Sequence, residues 1–593
     1  MMRRRITAVC AATALALASG TAVAGPAAAK PGRPDDTVPV RLLSLNDFHG
    51  HLEPPTGSSG RMVDEHGATV DAGGAAYAAA WLNRMTDRNT LKVAQGDLIG
   101  ATPLVSAAYH DEPTVEFLNK VGVTASAVGN HEFDEGYAEL LRIIKGGCHP
   151  VDGCSPAGQW KGADFTYLGA NVLLKDAKKL PPVPGMEALN GISRKKLAKE
   201  LARYGIPALP PITVRKINGV RVGFIGAVTE TTPNIVTAEG IKDLTFTDEV
   251  KAANFGSYLL KLLNVEAQVM LVHEGDQPAG TQSPDACNTV PGLGTEIATK
   301  VDPEIDMVLA GHSHQAYLCT VKDPKGGDRL YSQGGSFGRV ITQVDFKVDR
   351  RSGDIVRSTV QANNQIVTRD IAPDPAISTF VQTWKDRVAT VANRKIGDIT
   401  ADLSRAAAPS GESPLGNLIA DAQLAATKAG GGAQIALMNP GGVRADLTYA
   451  QSGSEGNGVV TYGEAFTVQP FNNLMQVVTL TGAQLDALLE QQWQPTATRI
   501  LQPSASLSYT MSPAQPIGSR VSDIKIDGVA ISDTATYRVA ANNFLVGGGD
   551  GFSVFTQGTN LWSGPLDIDA FVDYLGANSP IAPPATNRIT VTG

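Results

Sequence analysis

The chain has 593 residues, 42% of them hydrophobic and 18% charged, with a formal net charge of −8. That length holds up to about four domains at ~150 residues each, or two large ones with ample buried core. An acidic chain fits poorly to generic coating of a nucleic-acid polymer, which depends on Lys and Arg against phosphates, although a small anionic substrate in a local pocket stays compatible with it.

Residues 1–29 read as a secretory signal peptide and not as part of the fold. Arg3, Arg4 and Arg5 form a basic start, an apolar stretch runs from Ile6 to about Ala18, and small-residue cleavage sites fall near Ala24 and Ala29. Removal of the three arginines takes the formal charge from −8 to −11. Past this leader no apolar run approaches the ~20 residues that span a bilayer. The expectation is a secreted, extracellular protein without a membrane span and of unspecified oligomeric state. Cys10 leaves with the leader, and Cys148, Cys154, Cys287 and Cys319 remain. Export makes disulfides the default. The simplest pairing is Cys148–Cys154 and Cys287–Cys319, although spacing alone leaves the other pairings open.

Seven apolar strands are expected next, at 38–45, 90–95, 125–129, 165–172, 220–228, 267–272 and 306–311. Several are continuous Val/Leu/Ile runs, the pattern of strands covered on both faces. Helical patterns at 73–87 and 137–147 intervene, and such alternation predicts an α/β layer architecture. Residues 376–397 read as one connecting helix, which puts a domain boundary at about 366–395. After it, 411–431 reads as a helix with a glycine stop. Short strands and Gly-rich loops follow.

Five of the apolar strands end in candidate metal ligands. "LLSLNDFH" delivers Asp47 and His49, "VAQGD" Asp97, "AVGNH" Asn130 and His131, "VMLVHEG" His273, and "VLAGHSH" His312 and His314. Ligand sites in open α/β sheets lie beyond the carboxyl ends of the strands. Five of the nine histidines sit at such ends. Asp, Asn and His together suit borderline-to-hard divalent ions. Two ions ~3.5–4 Å apart usually need a bridging carboxylate, for which Asp97 is the candidate. Two neighbouring residues seldom point at one ion, so His131 is assigned to the departing oxygen and Asp134 to the orientation of its imidazole. Each motif alone is compatible with a structural turn; the whole set, in this order, reads as a metal site.

The set D-x-H, GD, GNHE, H-x-G and GH-x-H resembles that of calcineurin-like metallophosphatases. With the C-terminal features below, the chain resembles the secreted 5′-nucleotidase family, which includes bacterial UDP-sugar hydrolases, over about residues 38–590. The resemblance implies a four-layer α/β/β/α metallophosphatase domain (38–365), a linking helix (366–395) and a smaller α+β substrate-binding domain (396–593). It implies two divalent metal ions (Zn, Mn, Mg or Co), one held by Asp47, His49, Asp97 and His314, the other by Asp97, Asn130, His273 and His312. His131 and Asp134 match the family's catalytic dyad. Some relatives carry Gln or Asn where His314 stands, which leaves the preferred metal open.

The C-terminal half suggests the substrate. "NPGGVR" sets Asn439 and Arg444 around a glycine turn, and Arg444 can grip phosphate bidentately. Phe471 and Phe544 offer two aromatic faces for stacking a base. Asp550, in a Gly-rich loop, can accept hydrogen bonds from ribose hydroxyls. Packing aromatics, a solvated arginine and a turn-forming aspartate are the plain alternatives. The resemblance implies phosphate-binding arginines at Arg444 and Arg405, base stacking at Phe471 and Phe544, and a base contact at Asn473. The loop between Arg405 and the "GNL" helix is longer than in typical relatives. The expected activity is metal-dependent removal of the 5′-phosphate of nucleotides. Cleavage of 2′,3′-cyclic or 3′-nucleotides, pyrophosphate cleavage of UDP-sugars or dinucleotides, and non-catalytic nucleotide binding remain the alternatives.

Overall fold

The computed structural model describes residues 36–176, 185–236, 238–278, 283–494 and 497–592; the expected leader at 1–29 lies outside the described residues. Two six-stranded sheets dominate the N-terminal part. The first runs, in spatial order, Gln361–Ile366, Val340–Asp349, Thr37–Leu45, Thr90–Gln95, Ala125–Ala127 and Thr166–Leu168. The second runs Ala316–Lys322, Asp328–Gly334, Met307–Ala310, Gln268–His273, Val220–Val228 and Ile212–Ile217. The strands that end in candidate ligands pair in parallel, while the pairings at Val340–Asp349, at Ala316–Lys322 and at Ile212–Ile217 are antiparallel.

The period-two alternation of side chains along a strand explains the layering. Val38, Val40 and Leu42 join Phe224, Val269, Leu271 and Leu309 in a core between the two sheets. Leu43 and Leu45 turn the other way, against helices Ala75–Met85, Glu112–Val121 and Tyr137–Lys145. Met270, Val272 and Val308 of the second sheet pack outward on helices Glu249–Leu262 and Leu293–Lys300. Helix, sheet, sheet and helix stack in that order, which is the α/β/β/α arrangement expected. Both faces of these strands are covered, so their sequences are continuously apolar.

Helix Pro375–Ala392 follows the first sheet. Asp374 caps it by accepting from the Ile377 N–H, and Pro375 occupies its first turn, where a missing N–H costs nothing. Its Ile377, Val381 and Trp384 are buried in the outer core of the first sheet. The C-terminal part carries a five-stranded sheet ordered Gln502–Pro503, Ile435–Met438, Thr536–Asn542, Leu474–Thr481 and Thr559–Leu566, and a four-stranded sheet around Leu507–Met511. Helices Pro414–Gly431 and Asp567–Asn578 pack together beside the five-stranded sheet. Disulfides join Cys148 to Cys154 and Cys287 to Cys319. Among the described residues, no helix is long and apolar enough to cross a membrane.

Candidate active site

The loops that leave the parallel strands converge. Asp47, His49, Asp97, Asn130 and His273 are each no more than 3% exposed. Asp47, His49, Asp97, His312 and His314 all hold left-handed backbone, with φ between 44° and 74°. That conformation is uncommon for residues with a Cβ and concentrates where surrounding structure enforces it. The glycines of the motifs are there for close approach. A Cβ on Gly96 would meet Gly129 N at 2.4 Å, and one on Gly129 would meet Asp97 Oδ1 at 2.1 Å.

Two ligand clusters share one residue. One ligand atom from each of Asp47, His49, Asp97 and His314 lies within 4.8 Å of the others, and the same holds for Asp97, His273 and His312. His49 Nδ1 donates to the Gly100 carbonyl at 2.8 Å and His273 Nδ1 to the Gln95 carbonyl at 2.7 Å. A carbonyl only accepts, so Nδ1 carries a proton in each ring and Nε2 is the nitrogen that faces inward, where it offers a lone pair to a cation when the ring is neutral. Both Nε2 atoms face Asp97 Oδ2, at 3.6 Å from His49 and 2.9 Å from His273. Converging lone pairs and a carboxylate suit cations, and the all-oxygen-and-nitrogen donor set suits Zn²⁺- or Mn²⁺-type ions. Asn130 adds a buried Oδ1 that has no hydrogen-bond partner among the described residues. Asp47 is oriented by Asn46 Nδ2 at 2.6 Å and by the His312 N–H at 3.1 Å. The residues present therefore fit divalent-cation binding, with Asp97 common to both clusters.

Beside this centre, His131 Nδ1 lies 2.9 Å from Asp134 Oδ2. The His131 backbone N–H donates to Asp97 Oδ1 at 2.9 Å, which ties the His131–Asp134 pair to the two clusters. Burial disfavours the His131 imidazolium, but the Asp134 and Asp97 carboxylates outweigh it and raise the ring above its ordinary range.

The C-terminal candidates divide. Phe471 stacks on the His131 ring with centroids 5.7 Å apart, and the Arg444 guanidinium lies 5.8 Å from the Phe471 ring. Burial, followed by the Arg405 charge, depresses Arg444, and its Nη1 donates to the Gly441 carbonyl. Arg405 reaches Ser59 of the N-terminal part, Nη2 to Oγ at 3.1 Å, despite the longer loop before the next helix. Asn439 Nδ2 donates to Asp550 Oδ2 at 2.8 Å, so these two are brought together. Asn473 turns instead to Asp567, Nδ2 to Oδ2 at 3.1 Å. Phe544 packs against the C-terminal core and Gly549, and among the described residues no ring contact joins it to Phe471.

Sequence reasoning assigned no role to Glu132. Its buried carboxylate accepts from Asp97 N, Leu98 N and Gly129 N at 2.9, 2.9 and 2.5 Å, so it clamps the two loops that carry Asp97 and Asn130. Its place inside GNHE was the one available signal. Arg499, whose Nε lies 3.5 Å from Asp550 Oδ1, was also missed and had no motif around it.

A double-sheet α/β/β/α sandwich with buried Asp/Asn/His clusters at its parallel strand ends defines the metallophosphatase class. Residues 388–557 match the family model described as the 5′-nucleotidase C-terminal domain. A cell wall protein of Listeria monocytogenes is 34% identical over 571 residues, covering 91% of this chain and 67% of that protein. The endonuclease YhcR of Bacillus subtilis is 32% identical over 567 residues, covering 94% of this chain; the chain spans only 41% of its length. The crystal structure of a 5′-nucleotidase precursor from Thermus thermophilus superposes with a TM-score of 0.73 at 28% identity, covering 93% of this chain and 99% of that one. The chain belongs to the 5′-nucleotidase family, whose members here include hydrolases of phosphate esters.

Proposed function

We propose that this chain is a secreted phosphohydrolase that uses two divalent ions to remove the 5′-phosphate of nucleotides. The observation that carries the reading is the pair of ligand clusters sharing Asp97, with His131–Asp134 on one side and Arg444 and Phe471 reaching in from the C-terminal part. In this reading Asp47, His49, Asp97 and His314 hold one ion, and Asp97, Asn130, His273 and His312 hold the other. Residues 38–365 supply the metal domain, 366–395 the linking helix and 396–593 the substrate domain.

Two such ions would supply Lewis-acid charge to the phosphoryl oxygens and to an attacking water. The chain's own residues do the rest. Asp134 holds His131 through Nδ1, which leaves Nε2 to give a proton to the departing O5′. Arg444, with Arg405, binds the equatorial phosphoryl oxygens, on which negative charge grows. Phe471 offers a stacking face. Asn439 and Asp550 form one hydrogen-bonded pair suited to ribose hydroxyls.

Chromatographic analysis of the products from 5′-AMP, 3′-AMP, cyclic 2′,3′-AMP and UDP-glucose tests this directly, with chelator and metal add-back as the second axis. The expected result is chelator-sensitive cleavage that is fastest for 5′-AMP. Faster cleavage of 3′-AMP, the cyclic ester or UDP-glucose would overturn the 5′-specificity, and cleavage unaffected by chelator would overturn the metal chemistry.

A further inference from the structure

Phe337 has no part in the chemistry described so far, yet it touches more imidazoles than any other aromatic ring among the described residues. It lies in the connection 335–339, between strands Asp328–Gly334 and Val340–Asp349. Ring centroids are 4.1 Å away for His51, 5.3 Å for His314 and 5.9 Å for His49. The His314 and His49 rings are inclined to it by 77° and 63°. Edge-to-face pairs at about 4.5–7 Å attract one another. The Arg339 guanidinium adds a cation 5.3 Å from the same ring.

The ring is held firmly. It is buried, and its backbone is left-handed, with φ of 59°. A bulky side chain keeps that conformation only where its surroundings enforce it. The Phe337 N–H donates to the Asp47 carbonyl at 2.7 Å. Arg339 anchors the other side of the connection, with Nε donating to the Ser336 carbonyl, Nη2 to Ser336 Oγ and Nη1 to the Arg61 carbonyl. Phe337 is thus fixed to the strand end that carries Asp47 and His49.

The two imidazoles of the Asp47 cluster are oriented by different means. His49 is fixed through Nδ1, which donates to the Gly100 carbonyl. His314 turns Nε2 to the cluster, 3.3 Å from Asp47 Oδ1 and 3.1 Å from His49 Nε2, and among the described residues no hydrogen bond holds its Nδ1. A metal-binding imidazole ordinarily relies on such a bond to set its ring. For His314 the packing on Phe337 takes that place. In the second cluster His273 and His312 pack on each other, and among the described residues neither makes a ring contact with Phe337.

We propose that Phe337 is a positioning residue for one ion only, the ion assigned to Asp47, His49, Asp97 and His314: its ring holds the His314 imidazole in the plane that aims Nε2 at that ion. This rests on the two-ion reading above and adds which of the two ions depends on the ring.

Zn²⁺ binding to full-length protein, measured by equilibrium dialysis with elemental analysis, tests it in a double-mutant cycle. Phe337→Leu is expected to weaken one Zn²⁺ by about 10–100-fold, the cost of losing the group that orients a ligand imidazole, and to leave the other unchanged. Phe337→Met, which fills the space with a flexible apolar chain, is expected to do the same. His314→Ala is expected to weaken the same ion, and Phe337→Leu added to it to weaken neither ion further. A general loosening of the fold would instead weaken both ions alike. Equal loss of both ions, unchanged binding in the folded Phe337 variants, or a full Phe337→Leu effect in the His314→Ala background overturns the proposal. Wild type that binds no Zn²⁺ would overturn the two-ion reading itself, an outcome distinct from those three.

Discussion

The two halves of the candidate site are built in opposite ways. On the N-terminal side Asp47, His49, Asp97, Asn130 and His273 are buried at the ends of strands that are themselves core. Backbone hydrogen bonds between neighbouring loops lock them, such as Asp47 N to Gly96 O and His49 N to Asp97 O, both 3.0 Å. On the C-terminal side Arg444, Arg405 and Phe471 are only partly buried and reach across on loops through single contacts. Chemistry that tolerates little displacement is mounted on sheet, while recognition is mounted on segments that can adjust. Loss of a strand-end residue is therefore expected to abolish turnover, and loss of a loop residue to weaken substrate use by degrees.

The sharpest test of that contrast is Asp97→Ala. It is expected to remove the metal held by the two clusters that share Asp97 and to lower kcat by about a thousandfold or more; full activity with that metal retained would break the comparison at its centre. His131→Asn comes next. A proton donor of this kind contributes about 10²–10⁴-fold, and the fall should appear in kcat with metal content unchanged. Asp134→Asn is expected to cost less, because the imidazole remains and only its orientation suffers.

On the loop side, Arg444→Ala is expected to lower kcat/KM by roughly 10–100-fold, the size of one or two charge-assisted hydrogen bonds. Phe471→Leu should raise KM by an amount equivalent to about 1–3 kcal/mol of stacking, similarly for purine and pyrimidine nucleotides. A kcat loss in Phe471→Leu as large as that of His131→Asn would mean that the ring supports the dyad more than the base.

The smallest effect concerns stability. Burial raises the Asp567 carboxyl to about 7, against hydrogen bonds from Asn473 that favour its anion. A folded-state value above the unfolded one means that the folded chain binds the proton more tightly. The stabilisation is present at low pH and is lost as pH rises through about 7. Asp567→Asn is expected to flatten the fall in Tm between pH 5 and pH 8 by about a degree or two, measured by thermal unfolding across that range.

Legibility in the sequence followed the same division. The strands that end in Asp47, Asp97, Asn130, His273 and His312 were readable because burial on both faces leaves an unbroken apolar run, and a ligand that interrupts its end stands out. The antiparallel strands Ala316–Lys322, Val340–Asp349 and Gln361–Ile366 were missed, and so was Asp328–Gly334, which is parallel to Met307–Ala310 and antiparallel to Ala316–Lys322. Their polar and apolar residues mix, as in the alternating burial of Val340–Asp349. Strand 165–172 was expected as one piece, but it is two short strands around a turn at 169–171. Arg499 and Phe337 carried no local pattern, because their partners come from distant segments.

The sequence by itself determined the layered α/β class, the residue types at the strand ends and the dyad spacing, since each depends on periodicity or on neighbours within a few positions. Only the tertiary structure decided that Asp97 faces both His49 and His273, that Glu132 clamps the loops, that Asn473 turns to Asp567, and that Phe471 lies on His131. Those are distances between residues far apart in the chain, and they are set by how sheets and loops pack.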